Sequence, residues 1–193
     1  MTHQTPEEPI PSYHQIRATY TDSTIVVNQA YKPTIADAAV RTQSLNVHGF
    51  KPDRMTWVKP SFRWMLYRSG WVRKENQERI LALHITREGW EQALNWSGVK
   101  EDNASVRIQW DPERDIKTKP LRWRSIQVGL SGSAVREGLL GAWIVKIEDV
   151  TQVAIEIGKL VDEGRLEEAK ELLPVERVYE FLDDNARIAC NAS

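Results

Sequence analysis

The segment Met55–Trp71 carries side chains that could perform acyl or phosphoryl transfer. Lys59 and Ser61 flank Pro60, so an amine and a hydroxyl lie at a predicted helix start, where free backbone N–H groups favour an anion. Ser61 is a candidate nucleophile or hydrogen-bond donor, and Lys59 and Arg68 are candidates to hold a phosphate or a developing oxyanion. The same residues could instead be a helix cap and surface cations.

Aromatic rings and cations are mixed in this segment. Trp57, Trp64 and Trp71 recur every seven residues, and Arg54 precedes them. A core segment would separate apolar and charged side chains onto different faces. We therefore interpret the segment as the wall of a pocket for an anionic or aromatic ligand, with Arg54 and Trp57 among its binding residues. Tyr67 is either a proton donor in that pocket or an amphipathic core residue.

Polar side chains also interrupt other apolar segments. Gln29 and Tyr31 belong to a predicted strand over residues 24–31, and Gln127 belongs to another over residues 125–130, directly after Arg124. Glu113 lies in a predicted turn. Buried amides require hydrogen-bond partners, so these residues are either internal anchors or ligand-binding groups. We predict that Gln29, Arg124 and Gln127 orient the substrate in the same pocket.

The elements that position these residues indicate an α+β fold. Their predicted order is β-α-α-β-α-β-β-α-β-α-α, which is too irregular for a doubly wound parallel fold. We predict one domain over residues 16–180, with a mixed or antiparallel sheet of about five strands, flanking helices and a C-terminal helical hairpin. Residues 1–15 are polar and proline-rich and are predicted to be a disordered tail, and residues 181–193 are predicted to be a C-terminal tail.

Charge is unevenly distributed along the 193 residues, although the net charge is only -1. Residues 51–74 hold seven basic residues and one acidic residue, whereas residues 148–184 hold twelve acidic and four basic residues. The first segment predicts a basic face for a phosphate-bearing partner. The second is typical of a solvated helix face.

Several functional classes lack their sequence signatures. A single cysteine, Cys190, permits no disulfide within the chain, and the four histidines show no metal-ligand spacing. The glycine-rich dinucleotide and P-loop motifs are absent. We therefore expect neither a metal site nor a cofactor. No apolar run approaches the roughly 20 residues of a membrane span, and the N-terminus lacks the apolar core of a signal peptide, so we expect a cytoplasmic protein without a membrane partner.

Six motifs resemble those of a domain family of bacteria and fungi, much of which has no known function. They are Arg17-x-x-Tyr20, Gln29-Ala30-Tyr31, the segment from Met55 to Met65, Tyr67 to Trp71, Gln109 to Arg114 and Arg124 to Leu130. The resemblance covers the chain from about Ile16 to Tyr179. It extends to the fungal arginine-containing cyclodipeptide synthases, which form cyclo-arginine-Xaa dipeptides from aminoacyl-tRNA.

This resemblance implies an aminoacyl-tRNA-dependent acyl transferase, with an acyl-transfer site and a basic surface for tRNA. The synthases carry an acidic D-D-x-x-E motif. The nearest match here is the segment from Asp183 to Arg187, which has arginine in place of the glutamate. Two other functions stay open: an ADP-ribosyltransferase-like enzyme acting on NAD or another nucleotide, and a non-catalytic RNA-binding module.

Overall fold

Strands and helices alternate in the computed structural model, which describes residues 11–97 and 104–193. The strands are β1 (Arg17–Ala18), β2 (Thr24–Tyr31), β3 (Thr56–Val58), β4 (Arg79–Thr86), β5 (Ala104–Arg114), β6 (Pro120–Gly132), β7 (Ile144–Asp149) and β8 (Arg177–Val178). The helices are α1 (Pro33–Thr42), α2 (Phe62–Ser69), α3 (Arg87–Trp96), a π-helix (Ala134–Ala142), α4 (Thr151–Asp162), α5 (Leu166–Glu171) and α6 (Asp184–Ala189). The predicted α+β class is confirmed, and α4 and α5 form the predicted helical hairpin.

Two three-stranded antiparallel sheets form the framework. β4 lies between β2 and β7 in the first sheet, and β6 lies between β3 and β5 in the second. β1 and β8 form a separate antiparallel pair. The five predicted strands correspond to β2, β4, β5, β6 and β7. The short strands β1, β3 and β8 were missed because two or three residues cannot show an alternating pattern.

The two sheets are joined at one point. Asn28 of β2 forms an isolated antiparallel bridge with Lys59, which directly follows β3. The helix that comes next, α2, therefore starts at the junction of the sheets. Ser61 caps its N-terminus by accepting a hydrogen bond from Trp64 N, and Gly70 ends it in the left-handed conformation.

The apolar interior has two parts. The larger part contains Val27, Leu83 and Val128 from the two sheets, with Trp90 of α3 packed against them. The smaller part packs the apolar side of α2 against α4; its members include Phe62, Met65, Leu66, Ile157 and Leu160. The close packing of this side of α2 holds the helix in place.

The C-terminal segment is folded, which corrects the expectation of a tail. Ala186 and Cys190 are buried in the larger core, and Trp110 Nε1 donates a hydrogen bond to Cys190 O (2.9 Å). Glu91 of α3 accepts from the backbone N–H of Leu182 (2.7 Å). Small side chains supply most of this packing, and they produce no strong hydrophobic periodicity in the sequence.

The N-terminal segment contacts the hairpin of β5 and β6. Residues 1–10 of the predicted tail lie outside the described residues. Within the described part, the His14 ring stacks on Trp110 with centroids 4.6 Å apart, and Arg124 N donates to Tyr13 O (2.9 Å). No helix in the described ranges has both the length and the apolar character needed to cross a membrane.

Candidate functional site

A cleft of about 770 Å³ opens where the two sheets meet α2. Its walls come from the end of β2, the loop before β3, the cleft side of α2 and the middle of the hairpin of β5 and β6. This volume lies within the range of about 300–1,000 Å³ that is usual for small-molecule sites. The cations of the lining are Lys32, Lys51, Arg54, Lys59 and Arg68; the carboxamides are Gln29, Asn76, Gln77, Gln109 and Gln127; the rings are Tyr31, Phe50, Trp57 and Trp64.

The cleft is electropositive. Among the described residues, its lining includes five cations and no aspartate or glutamate. None of these five cations forms an ion pair with a carboxylate among the described residues. Unpaired cations in a concave site with low-dielectric walls focus a positive potential and attract anions. The cleft is therefore suited to a phosphate-bearing ligand.

Lys59 is the buried cation of the cleft, with only 4% of its surface exposed. Its Nζ lies 4.7 Å from the centroid of the Trp64 ring and 3.4 Å from the backbone oxygen of Trp57. The pKa of Lys59 is lowered to about 7, chiefly by burial and also by the charge of Arg68, while the charge of Asp111 opposes the shift. A lysine that is partly neutral at pH 7 can accept a proton from a reacting amine.

Asn28 fixes the backbone on which Lys59 is carried. The two residues exchange backbone hydrogen bonds, with Asn28 N donating to Lys59 O (2.6 Å) and Lys59 N donating to Asn28 O (3.2 Å). Asn28 Nδ2 also donates to Lys59 O (3.2 Å) and to Pro60 O (3.0 Å). Because Asn28 is buried, these bonds hold Lys59 at the sheet junction without competition from water.

Arg68 reaches the cleft from the last turn of α2. With its amide turned so that both groups are satisfied, Gln77 accepts from Arg68 Nη1 (3.3 Å) and donates to Arg68 O (3.2 Å). The intervening turn places Trp71 and Val72 at φ 59° and 58°. The left-handed region is sterically unfavourable for a β-branched residue such as Val72, and backbone strain of this kind is concentrated at functional sites.

Trp57 and Trp64 form the aromatic walls. Trp57 of β3 is paired with Gly129 of β6, and a Cβ at position 129 would lie 3.0 Å from the Trp57 ring and 2.8 Å from Met55 Sδ. Gly129 therefore permits the indole to lie directly against the backbone of β6. Trp64, on α2, faces Lys59.

Two carboxamides have their orientation fixed by neighbouring groups. Gln29 Oε1 accepts from the hydroxyl of Tyr31 (2.9 Å), whose pKa is raised by burial, so that the hydroxyl stays protonated and the Gln29 amide nitrogen is left for the cleft. Gln127 Nε2 donates to the carboxylate of Asp111. Since a carboxylate only accepts, the Gln127 oxygen is left for the cleft.

Seven of the eleven residues predicted for the site line the cleft. They are Gln29, Tyr31, Arg54, Trp57, Lys59, Arg68 and Gln127. The other four, Ser61, Tyr67, Glu113 and Arg124, do not line it. The predicted pocket thus brings together the first long strand, α2 and β6, but it excludes the predicted nucleophile.

Ser61 faces a separate cavity of only about 10 Å³, which it shares with Glu113 and Arg124. This is about the space of a single water molecule, so no substrate can reach the hydroxyl. Ser61 is 2% exposed; its Oγ accepts from Trp64 N (3.1 Å) and donates to Glu113 Oε1 (2.9 Å). The hydroxyl is a helix cap, which corrects the expectation of a nucleophile.

Two carboxyl groups support this helix start. Glu113 Oε1 accepts from Arg114 N (2.7 Å) as well as from Ser61, and burial raises the pKa of Glu113, while Arg63 opposes the shift. Glu176 Oε1 accepts from Phe62 N at the start of α2 (2.7 Å). The pKa of Glu176 is raised to about 8, chiefly by burial and also by the charge of Glu113. Glu113 is therefore a structural group rather than a ligand-binding one.

Tyr67 and Arg124 take part in contacts outside the cleft. The guanidinium carbon of Arg114 lies 3.6 Å from the centroid of the Tyr67 ring, which is partly exposed. Arg124 Nε donates to Tyr13 OH (2.9 Å), and Arg124 Nη1 donates to Trp110 O (3.3 Å). In the structure Tyr67 stacks with Arg114 instead of acting as a proton donor in the cleft. Arg124 supports the hairpin instead of orienting a substrate.

A family model described as a domain of unknown function, DUF4291, matches residues 15–179. The chain belongs to the DUF4291 family. No curated protein and no solved structure matches it. The match covers every residue of the cleft lining, so the cleft lies entirely within the DUF4291 domain.

Sequence reasoning missed six polar cleft residues of the DUF4291 domain: Lys32, Lys51, Thr56, Asn76, Gln77 and Gln109. Gln109 lies opposite Gln127 in the hairpin, so aligning the two strands about their turn would have found it. Lys51 belongs to the basic segment, but it was not assigned to the pocket. Lys32 and Gln77 lie just outside regular elements and have no local signal.

The segment from Asp183 to Arg187, which is the nearest match to the acidic D-D-x-x-E motif, follows the DUF4291 domain and lies outside the cleft lining. Asp183 Oδ1 accepts from Asn185 N (2.7 Å) as the N-cap of α6, and Asp184 Oδ1 pairs with Arg187 Nε (2.9 Å). Both aspartates therefore act within α6. Across the described ranges, no group of three or more histidine, cysteine, aspartate or glutamate side chains is arranged to hold a metal ion.

Proposed function

We propose that the cleft is the active site of an aminoacyl-tRNA-dependent acyl transferase, similar in chemistry to the arginine-containing cyclodipeptide synthases. The observation that carries the proposal is Lys59, a buried amine with a pKa of about 7 in a cleft lined by cations. An aminoacyl ester on tRNA brings phosphates to attract and an ester carbonyl to attack. The volume of about 770 Å³ suits a terminal nucleotide with its aminoacyl group better than a duplex.

The proposed step transfers one aminoacyl group to the amine of another. The α-amine of the acceptor attacks the ester carbonyl, and neutral Lys59 takes the proton that the amine loses. The new C–N bond gives a tetrahedral intermediate, which collapses by breaking the ester C–O bond as Lys59 returns its proton to the departing ribose oxygen. Arg68, which lines the same cleft and whose charge acts on Lys59, stabilises the oxyanion of the tetrahedral intermediate.

No acyl-enzyme on Ser61 is required by this mechanism. Direct attack needs two substrates in one cleft, a base and an oxyanion contact. Lys32, Lys51 and Arg54 lie on the loop and helix side of the cleft and would hold the phosphates that precede the terminal nucleotide.

The test combines product analysis with binding. We expect purified protein and charged tRNA to give peptide-bonded products detectable by mass spectrometry, and Lys59→Met to abolish them while tRNA binding persists. Lys51→Gln/Arg54→Gln should weaken tRNA binding and flatten its dependence on salt, because fewer counterions are released. Lys159→Gln/Lys170→Gln, which removes two exposed positive charges away from the cleft, is the matched control. Binding without transfer in wild type would instead identify a non-catalytic RNA-binding module.

A further inference from the structure

The wall of the cleft that is formed by the hairpin of β5 and β6 presents a hydrogen-bond acceptor whose orientation is fixed. Gln127 on β6 is buried, and its amide nitrogen donates to the carboxylate of Asp111 on β5. Asp111 is the acid whose charge reaches Lys59. Turning the Gln127 amide over would place its oxygen against a carboxylate, with two acceptors facing each other, so the oxygen stays on the cleft side.

Gln127 Oε1 has no hydrogen-bond donor among the described residues. The other hydrogen-bonding groups around it have different tasks: Lys59 and Arg68 serve the reacting groups, and Gln29 is paired with Tyr31 and presents its nitrogen instead. A ligand that covers this cleft-facing oxygen without offering it a donor loses affinity, because the oxygen gives up its hydrogen bond to water. The wall therefore selects for a ligand that brings a donor.

We propose that Gln127, held by Asp111, is a specificity-determining residue that binds an N–H donor on the side chain of the transferred aminoacyl group. This inference rests on the proposed function for the identity of the substrate. The shared chemistry is an N–H donor, whether an ammonium group or a neutral amide. A substrate with an apolar side chain leaves the Gln127 oxygen unpaired, and sites built around a polar partner reject such analogues strongly.

The experiment measures binding of three free amino amides in the absence of tRNA. Lysinamide carries a charged side-chain donor, glutaminamide a neutral one, and norleucinamide none at similar length. We expect wild type to bind at least one donor-bearing amide about tenfold more tightly than norleucinamide, which is the scale of one hydrogen bond in a desolvated site. A preference for lysinamide alone identifies a cationic donor, and a preference for both identifies any N–H donor.

The variants remove the acceptor while keeping its shape. Gln127→Met/Asp111→Leu replaces both partners by apolar groups of similar size, and we expect it to bind the three amides equally, because norleucinamide no longer leaves an oxygen unpaired. Asp111→Asn frees the Gln127 amide to turn and should reduce the preference for donor-bearing amides. This single variant replaces the double variant if thermal melting shows that the double variant is unfolded. Gln152→Met, at an exposed position of α4, is the control and should keep the wild-type preference.

Equal binding of the three amides by wild type, or no binding of any, contradicts the inference. So does a preference that survives in the folded double variant. Because no tRNA is present, a clear preference with no acyl transfer would overturn the proposed function alone, and acyl transfer with no preference would overturn this inference alone.

Discussion

Asn28 holds Lys59 from the opposite sheet, through two backbone hydrogen bonds and two side-chain hydrogen bonds to the Lys59–Pro60 segment. The position of the buried amine is therefore set by the junction between two sheets and not by a loop. Small movements of one sheet relative to the other would move the base relative to the hairpin wall of the cleft.

Removing this side chain should lower stability and activity together. We expect Asn28→Ala to reduce the free energy of unfolding by about 1–3 kcal/mol, because two buried carbonyl groups lose a donor. Acyl transfer should fall further than this loss explains, since Lys59 is no longer held. Urea unfolding and initial rates at a temperature where the variant is folded measure the two effects. Asn46→Ala, at an exposed position, should stay within about 0.5 kcal/mol of wild type, and an equal loss there would contradict the account.

Lys59 should make stability depend on pH with a defined sign. Its pKa is about 7 in the folded state against 10.5 in the unfolded chain, so the unfolded state binds more protons between these values. The free energy of unfolding should therefore rise with pH from about 7 to 10.5 through this group, and Lys59→Met should lack that rise. Denaturation at pH 6.5, 8 and 9.5 should show the advantage of Lys59→Met over wild type shrinking as the pH rises.

Lys159→Met, at an exposed position of α4, is the matched control for that experiment. Its difference from wild type should be small and the same at each pH, because the amine is hydrated in both states. A constant difference for Lys59→Met as well would mean that Lys59 is charged when folded, and the proposed base would be lost.

Glu176 should act with the opposite sign. Its pKa of about 8 in the folded state exceeds the 4.5 of the unfolded chain, so the folded state binds more protons over that interval. Wild-type stability should fall through this group as pH rises from 4.5 to 8. Glu176→Gln keeps an oxygen for Phe62 N but removes the titration, so its stability relative to wild type should improve from pH 5 to pH 8.5 in urea unfolding. No change in that difference would contradict the buried, protonated carboxyl.

Gly129 should be intolerant of a side chain because Trp57 and Met55 occupy the space. We expect Gly129→Ala to cost about 1–3 kcal/mol of folding free energy and to displace the Trp57 wall of the cleft. Thermal unfolding and the intrinsic fluorescence of the variant measure both consequences. Gly141→Ala, where the nearest atom to an added Cβ is Arg136 O at 3.5 Å, should cost much less.

The sequence predicted those parts of the site that depend on local pattern. Gln29, Tyr31 and Gln127 stand out because they are polar groups in strands rich in apolar residues, and buried polar groups require hydrogen-bond partners. Ser61 and Gly70 follow the rules for helix caps, so the limits of α2 were predictable. The α+β class follows from the irregular order of strands and helices.

The rest depends on contacts between distant segments. Lysine is usually exposed, but Lys59 is buried at the junction with a strand 31 residues away in the chain, where Asn28 bonds to its backbone, and burial lowers its pKa. The sequence predicted Ser61 as a candidate nucleophile because it does not show the surroundings of the hydroxyl, which tertiary packing sets. The hydrogen-bond partner Glu113 is 52 residues away in the chain, and the cavity beside Ser61 is narrow. Residues 181–193 fold because small side chains such as Ala186 and Cys190 pack into the larger core, whose other members come from distant segments of the chain.

The pH dependence of acyl transfer from aminoacyl-tRNA tests the central claim most directly. With a saturating second substrate, we expect the wild-type rate to rise with pH and to reach half its maximum near pH 7, where Lys59 loses its proton. The rate of Lys59→Met should be at least about 100-fold lower, which is the usual contribution of a general base, and should show no such inflection. Wild-type transfer with Lys59→Met equally active, or no transfer by wild type at any pH while tRNA is bound, would contradict the account.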